Sequence, residues 1–554
     1  MMQRTLPLVV AMGLCLNVGC SQKTAVVNVD GRAVPHFEGM GRHERPVTTS
    51  SATAQTYFNQ GLVWAYAFNH DEAIRSFKAA TLLDPDCAVA WWGIALCHGP
   101  HIGNPSVPPD RAEAAWEALQ KAVALQDRAT PAERALIRAL SSRYADSPPE
   151  DRRPLDEAYA KAMGEVWPDH PGDSDIGTLY AEAMMDLRPW DLWTKDGEPQ
   201  TGTEEILAVL EAVLRLDPNH PGANHLYIHA VEASPHPERA AAAADRLREL
   251  VPVSGHLVHM PSHVDVLTGR WKEAATQNER AIAADRAYRE ISPRQGFYRL
   301  YMIHNHHMLS FASMMEGRSD VAIRSAREVV GSVPEDYRRR EAALVDPYMG
   351  AVYDALKRFG RWDEILAEPA PPSYLPITTA LWRFNRGLAY AAKGEVANAK
   401  KEKAEFQKAA GNVPKDAVMA INPAQRILQI AEHFLNGEIA FRGGDIDESA
   451  AELRRAIALE DDLQYMEPPE WVQPVRHTLG AVLLSAGRHQ EAEAVYREDL
   501  AQWPDNGWSL YGLSRCARAR GATAEAESYE TRFRKVWSRA DTSIGSSCLC
   551  VPKT

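Results

Sequence analysis

One pattern governs what this chain can fold into: a unit of small residues, one aromatic residue and a closing proline that returns along most of its length. It first reads "TYFNQGLVWAYAFNHDEAIRSFKAATLLDPD", from Thr56 to Asp86. Gly61, Ala73 and Ala80 are small enough to let two antiparallel helices approach, and Phe77 is placed to fill the gap between them. Pro85 stops the second helix, because it has no N–H and its ring clashes with the preceding turn. Related stretches follow at 88–96, around Ala240 and Pro252, around Gly269 and Ala274, and around Gly317, Ala322 and Pro334. Two late copies lie at 479–506 and 507–533. A chain of 554 residues exceeds one ordinary core, and this recurrence makes a repeat array the expected answer.

The spacing resembles that of the tetratricopeptide-repeat family, over most of residues 54–537. The resemblance implies an all-α fold: a curved α-solenoid of antiparallel helix pairs whose first helices line a concave groove. Proline-rich stretches at 98–110, 188–202, 368–376 and 467–471 predict surface insertions and breaks. The expected blocks are N-terminal repeats over 51–220, histidine-rich repeats over 221–335 and C-terminal repeats over 336–540. Repeats that touch only their neighbours should form a rod, so that losing 507–554 leaves 51–335 helical, a weaker expectation if the ends close on each other.

The two ends read differently. Arg4 precedes an apolar stretch, Leu6 to Val18, too short for a permanent membrane span, which makes 1–19 a signal peptide. Gly19-Cys20 has the form of a bacterial lipoprotein cleavage site, so Cys20 is expected to be acylated and the protein exported, periplasmic or anchored to a membrane by lipid. Asn17 is unusual three residues before such a cysteine, and plain secretory cleavage stays open. Residues 20–50 lack periodicity and are expected to be a polar, flexible tether. Residues 541–554 are expected to be a disordered tail, with "SSCLC" as two free thiols; a soft-metal site or a redox pair is the alternative. A net charge of −13, with Arg338-Arg339-Arg340 as the longest basic cluster, argues against a nucleic-acid partner. No HExxH, Gly-rich phosphate loop, GxSxG or CxxC is present.

The repeat frame gives meaning to the histidines. Nine of the 19 lie between 225 and 307, where even scatter would put about three. "NHLYIHAVE" (224–232) and "GHLVHMPSH" (255–263) carry His225 and His259 thirty-four residues apart, as are His229 and His263. Counted back from Ala240, Ala274 and Ala322, which open the second helices, His225, His259 and His307 all stand fifteen residues upstream. His229 and His263 stand eleven upstream, and His256 and His304 eighteen. These offsets share one helix face, and Glu232 continues the stripe. Equivalent positions of adjacent repeats are neighbours, so a histidine grid is expected on the concave wall. Phe58 and Leu62 hold the fifteen and eleven positions before Ala73, so packing alone does not demand histidine there.

We therefore expect His225, His229, His259, His263, His307 and Glu232 to form a divalent-metal site, for zinc, copper or iron, with manganese open if more carboxylates join. Glu182 aligns with His229 through the Leu-Tyr pair of "TLYAEAMMD", and Glu182 or Glu232 is the candidate general base if the centre is catalytic. Asn224, Ser262 and Asn305 are expected to orient ring nitrogens. His306, His236, His98 and His101 are read as bystanders, and His477 shares the face but several repeats away. Trp190 and Trp193 either roof a groove or pack helices. "YIHAVE", "GHLVHMPSH" and "HNHHM" together look like a His-rich group of exported bacterial tetratricopeptide-repeat proteins. Three functions remain open: a solenoid binding a protein or peptide partner and carrying a metal centre, a hydrolytic or oxidative metalloenzyme, and a metal-free scaffold whose histidines recognise the partner.

Overall fold

The computed structural model describes residues 27–293 and 295–551. The leader and Cys20 lie outside the described residues. The described chain is an all-α solenoid of antiparallel helix pairs, with two short β-hairpins, Asn28–Val29 with Arg32–Ala33 and Val418–Met419 with Asn422–Pro423. Among the described residues no helix is long and apolar enough to cross a membrane.

The first repeat shows why its residues pair as they do. Ala52–Tyr66 packs on His70–Leu83, and Ala88–His98 follows. The Phe77 ring is held between Gly61 and Gly93, where an added Cβ would stand 2.7 and 2.8 Å from it. Only glycine allows both neighbouring helices to close on that ring. Ser51 and Asn69 cap the two helices through their side chains.

The histidine-bearing helices follow the same plan. Pro221–Glu232 pairs with Ala241–Leu250, and Arg299–Met315 with Ser319–Gly331. Between them the first helix is split into Gly255–His259 and Pro261–Leu267, which pack on the long helix Trp271–Ile291. Pro261 removes a hydrogen-bond donor there, but Met260 keeps helical dihedrals (φ −49°, ψ −38°). His259 and His263 therefore still lie one turn apart on one side.

Three expectations fail in instructive ways. Residues 27–50 are not a tether. Val27, Val29, Val34 and Phe37 are buried in the first core, Tyr57 donates to the Val34 carbonyl at 2.9 Å, and Arg45 bonds Asp173 at 2.6 Å. Anchors so widely spaced leave no period to read. The segment 541–551 is not a loose tail either. Asp541 accepts the N–H groups of Ser319 (2.6 Å) and Asp320 (3.0 Å), capping that helix, and Ser547 donates to the His477 carbonyl at 2.9 Å. Cys548 and Cys550 form a buried disulfide rather than two thiols.

The rod is the third. The C-terminal block returns onto the central repeats: Trp271 donates to the Pro504 carbonyl and Trp508 to that of Met314, both at 2.8 Å. Arg539 pairs with buried Glu316 at 2.8 Å, and one apolar core joins residues of 266–375 to Val472, Trp503 and Trp508. Large aromatic side chains supply this closure, and their positions inside ordinary repeat spacing conceal it.

Candidate metal centre

Four helical segments and one loop bring the site together. His225 and His229 come from Pro221–Glu232, and His256 and His259 from Gly255–His259. His263 comes from Pro261–Leu267, His304 from Arg299–Met315, and Glu467 from the proline-rich break after the helix Ile446–Glu460. The imidazoles fall into two trios. Around His225 Nε2 stand His229 Nε2 and His256 Nε2, each at 3.1 Å. Around His259 Nε2 stand His263 Nε2 at 2.7 Å and His304 Nε2 at 3.1 Å. Rings of the two trios approach closely, His229 to His263 at 5.5 Å between centroids and His256 to His259 at 6.0 Å.

Counting protons shows which nitrogens are free. His225 Nδ1 lies 2.7 Å from the Tyr66 carbonyl, which only accepts, so Nδ1 carries the hydrogen. That carbonyl ends the helix Ala52–Tyr66 and has no continuing turn to bond. His259 Nδ1 lies 2.7 Å from Asn278 Oδ1, whose orientation is set because Asn278 Nδ2 donates to the Ala274 carbonyl. His229 Nδ1 and His263 Nδ1 reach the two oxygens of one carboxylate, Glu232 Oε1 at 2.8 Å and Oε2 at 2.6 Å. His225 and His259 thus turn a bare Nε2 lone pair toward the centre of a trio, and His229 and His263 do the same when Glu232 is ionised. Lone pairs about 3 Å apart repel unless a proton or cation lies between them. Three ligands 2.0–2.1 Å from one tetrahedral ion stand about 3.3 Å apart, close to the spacing found here.

Burial sets the electrostatics. It pushes His229 down to about 3 and His259 down to about 4, and it drives His225, His256, His263 and His304 well below the ordinary range. Neutral imidazole is the ligating form. Burial lifts the Glu232 and Glu467 carboxyls well above theirs, and among the described residues neither pairs with Lys or Arg. Buried carboxylates without a permanent cation partner favour a site that receives one.

The outcome for each expected ligand is specific. His225, His229, His259 and His263 converge. Glu232 is placed not inside a trio but behind both, bridging a ring of each, so it orients the His229 and His263 rings and has both oxygens engaged. Its donor atoms group separately with His229, His263 and Glu467. His307 is not in either trio. It faces Tyr348, 5.9 Å away ring to ring, because the helix Arg299–Met315 meets its neighbour one turn earlier, at His304. Glu182 is not there either. It sits with Asp186, which is ion-paired to the buried Arg143, and burial followed by the Asp186 charge pushes it up to about 8.

Asn224 bonds backbone carbonyls and Arg246, and Asn305 bonds Asp285, so neither orients a ligand; Ser262 lies 3.3 Å from His259 Nδ1. The orienting amide is Asn278, on the helix Trp271–Ile291, which no first-helix pattern signals. Trp190 meets the His229 ring edge to face at 5.1 Å, while Trp193 packs helices and donates to the Ala230 carbonyl. Phe68 lies over the first trio, 4.4 Å from His225 and 5.6 Å from His256. Its place just past the first helix was the available clue.

A second histidine group, His43, Asp175 and His220, is different in kind. His220 Nδ1 accepts the Ala223 N–H, so its Nε2–H donates to Asp175, and Arg45 and Tyr66 bond the same carboxylate. Every donor there is spent. It anchors the N-terminal segment.

No family model matches this chain, and no curated protein does. Among solved structures it overlaps human IFIT1 dimer with PPP-AAAA at 14% identity and TM-score 0.32, covering 88% of this chain and 91% of that one. The APC/C hetero-tetramer Cut9-Hcn1 gives 13% and 0.29, covering 88% and 74%. At such scores the overlaps carry no argument, and the fold assignment stands on the helix pairs themselves.

Proposed function

We propose that this protein is an exported metal-binding solenoid holding a pair of ions, one in each histidine trio, with Glu232 as the carboxylate shared behind both. The observation that carries this is the convergence of six Nε2 atoms in two sets of three, four of them on rings whose Nδ1 is already hydrogen-bonded. An all-imidazole donor set without thiolate suits zinc and copper best, and three protein ligands leave a coordination position for water or substrate. Metal-assisted hydrolysis or oxidation is therefore the chemistry the centre supports. Export is supported by the Gly19-Cys20 junction behind an apolar leader and by the Cys548–Cys550 disulfide, a bond favoured outside the cytosol.

Recognition of a peptide by these histidines is disfavoured by their burial: His225 and His259 are 0% exposed and His229 only 6%. Elemental analysis of purified protein tests the reading. Two equivalents of a transition metal per chain are expected, falling by one in either His229→Ala or His263→Ala. A protein that stays metal-free in zinc- and copper-supplemented medium refutes it.

A further inference from the structure

The two trios are not equally enclosed. Phe68 and Trp190 cover the first, whereas His304 of the second is the one ligand of the six that is not fully buried. His304 and His307 line a cleft between the central helices and the C-terminal block, about 700 Å³ including its open mouth. Tyr348, Phe384 and Trp471 supply aromatic walls, and the charged groups on the lining are all carboxyls: Asp354, Glu467 and Glu470. Asp354 is paired with Lys357 at 2.9 Å, whose ammonium also lies 5.5 Å from the Phe384 ring centroid and 4.8 Å from that of Trp471, and Glu467 Oε1 lies 3.2 Å from the neutral His263 ring. Glu470 receives the neutral Asn422 amide at 2.9 Å and, among the described residues, no cation.

We propose that this cleft is the substrate chamber of the centre, and that it takes a small aromatic molecule bearing a basic amine, with its ring among the aromatic walls and its ammonium on Glu470. This rests on the metal reading above, since His304 is what links chamber and centre. Aromatic walls stack a flat ring, and a half-enclosed carboxylate discriminates between an ammonium and a neutral or anionic group.

The test titrates full-length, copper(II)-loaded protein with tyramine, 4-ethylphenol and 3-(4-hydroxyphenyl)propionate by calorimetry. One equivalent of tyramine is expected to bind, 4-ethylphenol about ten-fold more weakly, and the propionate not measurably. Tyramine should also shift the copper ligand-field band. Glu470→Gln, which keeps the Asn422 contact, should erase the preference for tyramine at unchanged metal content, and Ala351→Leu, which grows into the cleft, should weaken both ligands. Equal affinity for all three compounds, an unmoved copper band, or a preference that survives Glu470→Gln overturns the proposal. Metal measured in the same sample separates the claims: full metal without tyramine binding defeats the chamber alone, and no metal defeats the centre.

Discussion

His259 and His477 hold the same position in their repeats, fifteen residues before the alanine that opens the second helix, and both are fully buried. In the central block His259 faces two further imidazoles. In the C-terminal block His477 donates from Nε2 to Asp499 at 2.9 Å, and Asp499 also accepts from Asn506 (2.8 Å) and Ser509 (2.6 Å). The same register thus joins a cluster of imidazoles in one region and a single carboxylate in the other. What differs is the company: the position four residues on is His263 in one and Ala481 in the other. Repeat register decides where a side chain points; neighbouring repeats decide what it meets.

The comparison breaks hardest if the blocks are separated. Deleting 507–554 removes Trp508, the Arg539 partner of buried Glu316 and the Asp541 cap. Buried Glu316 then keeps Arg318 alone, at 3.3 Å, and loses the closer of its two cation partners. We expect the truncated chain to unfold at much lower denaturant and to lose bound metal, as read by circular dichroism and elemental analysis. An intact, metal-loaded 51–335 block would restore the rod picture.

Next comes the ligand set. His225→Ala with His259→Ala should empty both trios, since each supplies the nitrogen around which its trio converges. His307→Ala should keep both ions. Retention of either ion by the double variant would move the site to the group of His229, Glu232, His263 and Glu467. Glu232→Gln sharpens the point: a carboxylate that orients two ligands from behind should, when neutralised, cost about 10–100-fold in affinity rather than abolish binding.

How much of this was readable from the chain follows from the same logic. The helix pairs were legible because Gly61, Phe77, Pro85 and their copies repeat at fixed distances. So was the face carrying His225, His229, His259 and His263. The composition of a trio follows a rule that spans two repeats: the fifteen and eleven positions of one repeat join the eighteen position of the next. His256 completes the first trio by that rule and His304 the second. His307 begins a third, which fails because its eleven position is Phe311. His307 would join a trio only if the repeats were identical in phase, whereas adjacent first helices meet offset by about a turn. Glu467 and Asn278 were out of reach, since one arrives on an irregular break and the other on a second helix. The 27–50 segment was invisible because isolated anchors such as Phe37 and Arg45 have no period.

The smallest effect tests the C-terminal member of the pair. Burial holds His477 below its ordinary range, against the raising influence of Asp499. The unfolded chain takes up a proton at this residue near pH 6.5 while the folded chain does not, so stability rises with pH there and is lost as pH falls below 6.5. Asp499 adds to the same trend at lower pH: burial would raise it, but its bonds from His477, Ser509 and Asn506 hold it below the usual carboxylate range. Removing the imidazole in His477→Ala should therefore leave metal content unchanged and lower stability at pH 7 by about 1–3 kcal/mol, from the lost bond. Between pH 6.5 and 5.5 the variant should lose about 1 kcal/mol less than the parent, measured by urea unfolding of both after chelation. Chelated parent and variant share every histidine of the trios, so their difference isolates His477. Identical pH slopes would mean that His477 titrates alike in the folded and unfolded chain, and a larger loss in the variant than in the parent would mean that its pair with Asp499 is a charged one.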